Sequence, residues 1–362
     1  MAIAVGTKIL TTLLLTATML MPVAPNAQKS NQTITPPQIL TLAPGAQQYA
    51  FALYANHALT ETGVANTNIT RVIILEHGVK RNGDRYFETG LALLRKAGLD
   101  PQHTLLLTPN FMTQRDALSD PAMALWRGDN WMQGQDSTQG KTGVSSLRVF
   151  DDIAAYLSAG RFPALREIIF IGHSAGAQLL QRYAVLNDSD EKLRQAGIHV
   201  RYVISSPSSY LYLDNNRPAD GGDAAGNFAA ANDMLCPGYD NYRYGLGAML
   251  PYGQGKDGEA LFKRYAARDV IYMVGSKDNN PQHRFLDRAC GARLQGANRV
   301  ERHDNYLRYE QFLAVKWRTP IRHAAFVVPG AGHDANALFG ADITVQQIFA
   351  VKPQATQIQP VK

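Results

Sequence analysis

Gly172-His173-Ser174-Ala175-Gly176 is the stretch whose residue types and spacing point most directly to covalent chemistry. A serine hydroxyl is a weak nucleophile until a base takes its proton, and the base in turn needs a carboxylate to hold it. The G-x-S-x-G pattern puts small residues on either side of the serine, as a crowded, strained strand-to-helix turn requires. The candidate base is His333, in Pro329-Gly330-Ala331-Gly332-His333-Asp334, and the candidate acid is Asp278, in Gly275-Ser276-Lys277-Asp278. Both runs follow an apolar segment that reads as a strand. Asp240 and Asp287 are alternatives for the acid if inserted segments fold back, although neither directly follows an expected strand. For Ser174 the competing reading is a solvent-exposed helix cap. His57, His103, His199, His283, His303 and His323 read as surface or structural histidines.

These groups need a scaffold that brings them to one edge. From Arg71 onward, short apolar runs alternate with amphipathic ones, the pattern of a mostly parallel sheet covered by helices on both faces. The expected strands are 71–76, 104–108, 167–171, 200–205, 270–274 and 324–328, with covering helices over 86–96 and 147–157 and another starting at Ser174. Two long polar intervals, about 207–267 and 279–318, read as insertions over the sheet's carboxyl edge, where such sheets place their sites. One hydrolytic domain is expected over 46–350, with no internal repeat.

A tetrahedral intermediate also needs donors aimed at its oxygen. Ala175, directly after the serine, supplies one backbone N–H, and Val79, in Glu76-His77-Gly78-Val79 after the first expected strand, supplies the other. His77 either braces that loop or touches substrate. Together His77-Gly78, the serine pentapeptide, Asp278 and Gly332-His333 resemble the α/β-hydrolase superfamily of esterases, lipases and amidases over roughly residues 70–340. Ser205-Ser206-Pro207-Ser208-Ser209-Tyr210 and Gln295-Gly296-Ala297-Asn298-Arg299 make the chain similar to exported bacterial members of that group. The resemblance implies an α/β-hydrolase fold, a Ser-Asp-His triad and no cofactor. The chain departs from the common spacing because the second insertion separates Asp278 from His333.

The chain opens with Lys8, an apolar run to Met21 and Pro22-Val23-Ala24-Pro25-Asn26-Ala27, which reads as a signal peptide over residues 1–27. The run is too short for a spanning helix. Residues 28–45 read as a flexible leader and 351–362 as a tail. An exported protein, periplasmic or extracellular, with no stable membrane anchor follows. In an oxidising compartment Cys236 and Cys290 are expected to pair, joining the two insertions. No C-x-x-C spacing supports a metal site. The formal net charge of +6 is spread along the chain rather than blocked, which argues against a nucleic-acid partner.

The polar insertions disfavour long-chain lipid. Lys80, Arg81 and Arg85, with Arg284, Arg288 and Arg299, are candidates to meet a carboxylate-bearing ester or amide, and Trp126 and Trp131 are candidate cleft walls. The expected activity is ester hydrolysis of a small or polymeric substrate through an acyl-enzyme. An amidase or peptidase, including one acting on an acidic polymer, and a non-catalytic binding module on the same fold are the alternatives.

Overall fold

The apolar runs assemble into one eight-stranded sheet. In the computed structural model, residues 1–2, 36–43, 47–59, 65–116, 120–219 and 227–349 are described. Residues 1–34 form a unit of their own, in which only Met1 and Ala2 are described. The rest of the expected signal peptide, 3–27, and the expected tail, 351–362, lie outside the described residues.

In chain order the strands are β1 (Gln38–Leu42), β2 (Tyr49–Ala55), β3 (Arg71–Glu76) and β4 (Thr104–Pro109), then β5 (Glu167–His173), β6 (His199–Ser205), β7 (Asp269–Gly275) and β8 (Ala324–Val328). Across the sheet they run β1-β2-β4-β3-β5-β6-β7-β8. Pairing is antiparallel at β1–β2 and β2–β4 and parallel from β4 to β8. The central strands are covered on both faces, which is why their sequences are continuous rather than alternating. In β3, Val72 and Ile74 enter one core while Ile73 and Leu75 enter the other; in β5, Ile168 and Phe170 oppose Ile169 and Ile171. Each such side chain contributes about 1.5–3 kcal/mol on burial, enough for the strand to hold a strained turn at its end.

The covering helices are α1 (Gly83–Lys96), α2 (Ser146–Ser158), α3 (Ala175–Leu186), α4 (Gly258–Ala266) and α5 (Arg299–Lys316). Every residue of α3 is buried, because the helix lies between the sheet and the segments that cross above it.

Two expectations are corrected. The segment read as a leader, 28–45, contributes β1, whose Leu40 and Leu42 are buried while Thr41 between them is exposed. That alternation suits an antiparallel edge strand with one wet face. The interval 279–318 is not all insertion: its second half is α5, the crossover that a parallel β7–β8 connection demands. Its buried positions, Arg299, Arg302, His303, Tyr306, Tyr309, Glu310 and Leu313, have helical spacing but only one aliphatic member. Their polar ends bind the strand of chain that crosses them. Tyr306 Oη donates to Leu211 O at 3.1 Å, and Tyr309 Oη accepts from Leu213 N at 2.8 Å. Asn298 caps the helix by accepting from Glu301 N at 3.0 Å.

The first interval, 207–267, carries a short hairpin (Asn216–Pro218 with Phe228–Ala230) and α4. Cys236 and Cys290 are disulfide-bonded, so the two intervals are joined as the sequence predicts.

Candidate active site

The register of the sheet sets the site. Glu76 of β3 is level with Gly172 of β5, and His173 is level with Ser205 of β6. The chain then turns sharply: Ser174 has φ 58° and ψ −115°, a conformation that costs an ordinary residue about 1–3 kcal/mol. No larger neighbour fits. A Cβ on Gly172 would lie 2.6 Å from Gly176 O, and one on Gly176 would lie 2.6 Å from His77 O. The turn leaves Ser174 only 7% exposed, with its hydroxyl at the floor of a cleft.

The turns after β7 and β8 come to the same point. His333 Nε2 lies 2.8 Å from Ser174 Oγ, and His333 Nδ1 lies 2.7 Å from Asp278 Oδ2. A carboxylate only accepts, so Nδ1 carries the proton and Nε2 is free to accept from the serine. Burial lowers the His333 pKa, and the Arg299 guanidinium lowers it further against the opposing pull of Asp278. Burial works to raise the Asp278 carboxyl, but its bond to His333 and the charge of Arg299 hold it below the usual range. Asp278 is thus ionised and His333 neutral at pH 7.

Sequence reasoning missed what Arg299 does. Rather than facing a substrate, it is 1% exposed and donates to Asp278 Oδ1 at 3.3 Å, His283 Nδ1 at 3.2 Å and Phe285 O at 2.9 Å. It therefore ties Asp278 to the loop that lines the cleft. His283, read as an ordinary histidine, has its ring 5.0 Å from that of His333. His173 packs against His333 from the other side at 4.8 Å, its own pKa driven well down by burial. Asp287 is held by Arg243 at 2.7 Å, and Asp240 by Arg217 at 2.9 Å. The structure brings neither to His333.

Three candidate substrate contacts are relocated. His77 is fully buried; its Nδ1 donates to Gly78 O at 2.9 Å and its Nε2 accepts from Phe111 N at 3.1 Å, so it braces the loop. Burial lowers its pKa to about 4 and raises that of adjacent Glu76, which lies 3.4 Å away. Trp131 is fully buried, stacked on Phe111 and edge-on to His77, and Trp126 is equally enclosed. Large aromatic rings in a polar stretch were core rather than wall. Arg81 is engaged by Asp116 through two bonds at 3.0 and 3.1 Å.

Lys80 does line the cleft, as do Val79, Arg85, Tyr86, His283 and Arg284, in a volume of about 330 Å³. A second cleft of about 310 Å³ also reaches Ser174, along Ala175, Gln178, Ser208 and Arg288. Ala175 begins α3, so its N–H has no acceptor within the helix. Val79 borders both clefts, and a Cβ on neighbouring Gly78 would come within 3.6 Å of Ser174 Cβ. Among the described residues, no group of three His, Cys, Asp or Glu side chains converges as a metal site would.

The chain matches no protein-family model and no curated protein. Solved structures do match. A poly(3-hydroxybutyrate) depolymerase from Bordetella parapertussis superposes with a TM-score of 0.56 at 19% identity, covering 85% of this chain and 86% of that one. A poly(aspartic acid) hydrolase from a Sphingomonas species gives 0.53 at 16% identity, covering 86% and 98%. At such identities the likeness is one of architecture. With the strand order and the turn at Ser174, it establishes that the chain has the α/β-hydrolase fold.

Proposed function

We propose that the protein is a serine hydrolase that cleaves an ester bond through an acyl-enzyme. The observation that carries this reading is the unbroken series Ser174 Oγ, His333 Nε2, His333 Nδ1 and Asp278 Oδ2 at the foot of an open cleft. Ser174 attacks the carbonyl carbon as His333 takes its proton, and Asp278 stabilises the imidazolium that forms. The N–H groups of Ala175 and Val79 receive the negative oxygen. His333 then protonates the leaving alcohol, and a water molecule, activated by the same imidazole, releases the acid and restores the serine. Each cycle consumes one water and one ester bond.

Arg299 is a positioning residue in this scheme. It touches no substrate, but it holds Asp278 and adds to burial in lowering the pKa of the imidazole. Export is the setting that suits the Cys236–Cys290 bond. No helix among the described residues is long and apolar enough to cross a membrane.

Purified protein should be labelled by a fluorophosphonate at Ser174 and should turn over short p-nitrophenyl esters. Absence of both would end the hydrolase reading and favour a binding module. Labelling with turnover confined to amides would replace the esterase by an amidase.

A further inference from the structure

We propose that the natural substrate is a chain bearing carboxylate groups on both sides of the bond that is cut, an inference that rests on the acyl-transfer reading above. The two clefts meet at Ser174 and share Val79, Arg284 and Phe285. A chain laid in one therefore continues into the other across the nucleophile. Lys80 and Arg85 line the first cleft, Arg288 lines the second, and Arg284 borders both. All four are exposed.

The other arginines of the region are committed to protein partners: Arg81 to Asp116, Arg243 to Asp287, and Arg299 to Asp278. Among the described residues, Lys80, Arg284 and Arg288 have no carboxylate within ion-pair distance, and Arg85 only touches neighbouring Asp84 at 4.0 Å. On the acidic side of the balance, Asp287 is neutralised by Arg243, while Asp334 caps a helix through Ala337 N and Asp129 borders the second cleft. Four cations thus face two carboxylates that lack a cationic partner. The one large apolar side chain in the shared wall, Phe285, has the Arg284 guanidinium 4.3 Å over its ring.

An acyl-enzyme requires a carbonyl at the scissile bond, so the charges must be side groups of an acyl-linked chain. Guanidinium forks match carboxylates in two-point bonds. A single exposed ion pair contributes a factor of at most about five in affinity. Discrimination therefore needs several charges spread along the substrate, which is how these cations are spread.

The test uses the full chain with its disulfide intact. First, kcat/KM is compared for mono-p-nitrophenyl adipate and p-nitrophenyl hexanoate, which differ by a terminal carboxylate. A preference of about fivefold for adipate, residing in KM, shrinking in 0.5 M salt and reduced in Arg284→Gln, is expected. Second, poly(aspartic acid) is titrated onto Ser174→Ala, which binds without turnover. Affinity should fall severalfold when Lys80→Gln and Arg85→Gln are added, and again when Arg288→Gln is added instead. Lys192→Gln, at the opposite edge of the sheet, is the control. Equal turnover of the two esters overturns the proposal, as does sensitivity on one side of Ser174 only, or an equal loss in the Lys192 variant. Fluorophosphonate labelling with no anionic preference would sink this inference alone, whereas absent labelling and turnover would sink the hydrolase reading beneath it.

Discussion

Beneath Ser174 the site rests on strand ends whose aliphatic side chains interlock on both faces of the sheet. Above it, residues 279–288 hang from polar contacts. Arg299 binds Phe285 O, Ser208 Oγ accepts from Asp287 N at 2.7 Å, and Arg243 and Tyr244 hold the Asp287 carboxylate. A packed sheet fixes atoms to within a rotamer and tolerates little change. A polar roof can exchange residues without disturbing the strands. On the proposed reading, chemistry belongs to the lower region and recognition to the upper one, with Arg299 the side chain that touches both.

Variants that separate the two regions rank by size. Ser174→Ala removes the attacking atom and should lower kcat by about 10⁵-fold or more while leaving the circular dichroism spectrum intact. Substantial residual turnover there would mean the lower region is not the reaction centre. Asp278→Asn leaves the geometry but fixes the wrong imidazole tautomer, with an expected loss of about 10⁴-fold. Retained activity in Asp278→Asn, lost in Asp287→Asn, would move the acid into the upper region.

Arg299→Gln addresses the join. The free enzyme needs neutral His333, so kcat/KM should fall as pH drops through its pKa, which lies below the usual 6.5. Loss of the Arg299 charge raises that pKa, and the acid limb should move to higher pH. Turnover on the plateau should fall roughly 10-fold. Arg299→Lys, which keeps the charge, should restore the limb even if it remains less stable. A limb that stays in place in Arg299→Gln would reduce Arg299 to a structural role.

The smallest effect on turnover is expected from Cys236→Ser with Cys290→Ser. Closing a loop across 54 positions stabilises by about 4 kcal/mol in the chain-entropy picture. Thermal unfolding should come at lower temperature, and KM should rise more than kcat falls. The reverse pattern would place the crosslink in service of the lower region.

The same division governs how much could be read from sequence. The turns at Ser174, Asp278 and His333 were legible because each follows an apolar strand, and burial on both faces makes such strands conspicuous. Helix α5 was hidden because its buried face is made of Arg302, Tyr306 and Tyr309, which satisfy the chain above them, and Glu310, which accepts from Tyr272 of β7, and all four look like surface. Periodicity counted over polar as well as apolar residues would have found it. Arg299 was legible as a cation but not as a buried one, since its partner Asp278 lies beyond any local pattern. Trp131 and His77 misled in the other direction, because their burial depends on Phe111 from a distant strand end.

The Cys236–Cys290 bond has a topological consequence. Ser174 lies before the ring it closes, Asp278 within it and His333 after it. A single protease cut between the cysteines, for instance in the exposed turn at Gly255, leaves one covalent molecule with Ser174 and His333 still joined. The chain has no other cysteines to make such a link. Once that cut is made, reduction of the bond would leave Ser174 on one fragment and its two partners on the other, so tolerance of clipping and sensitivity to thiols are the same property.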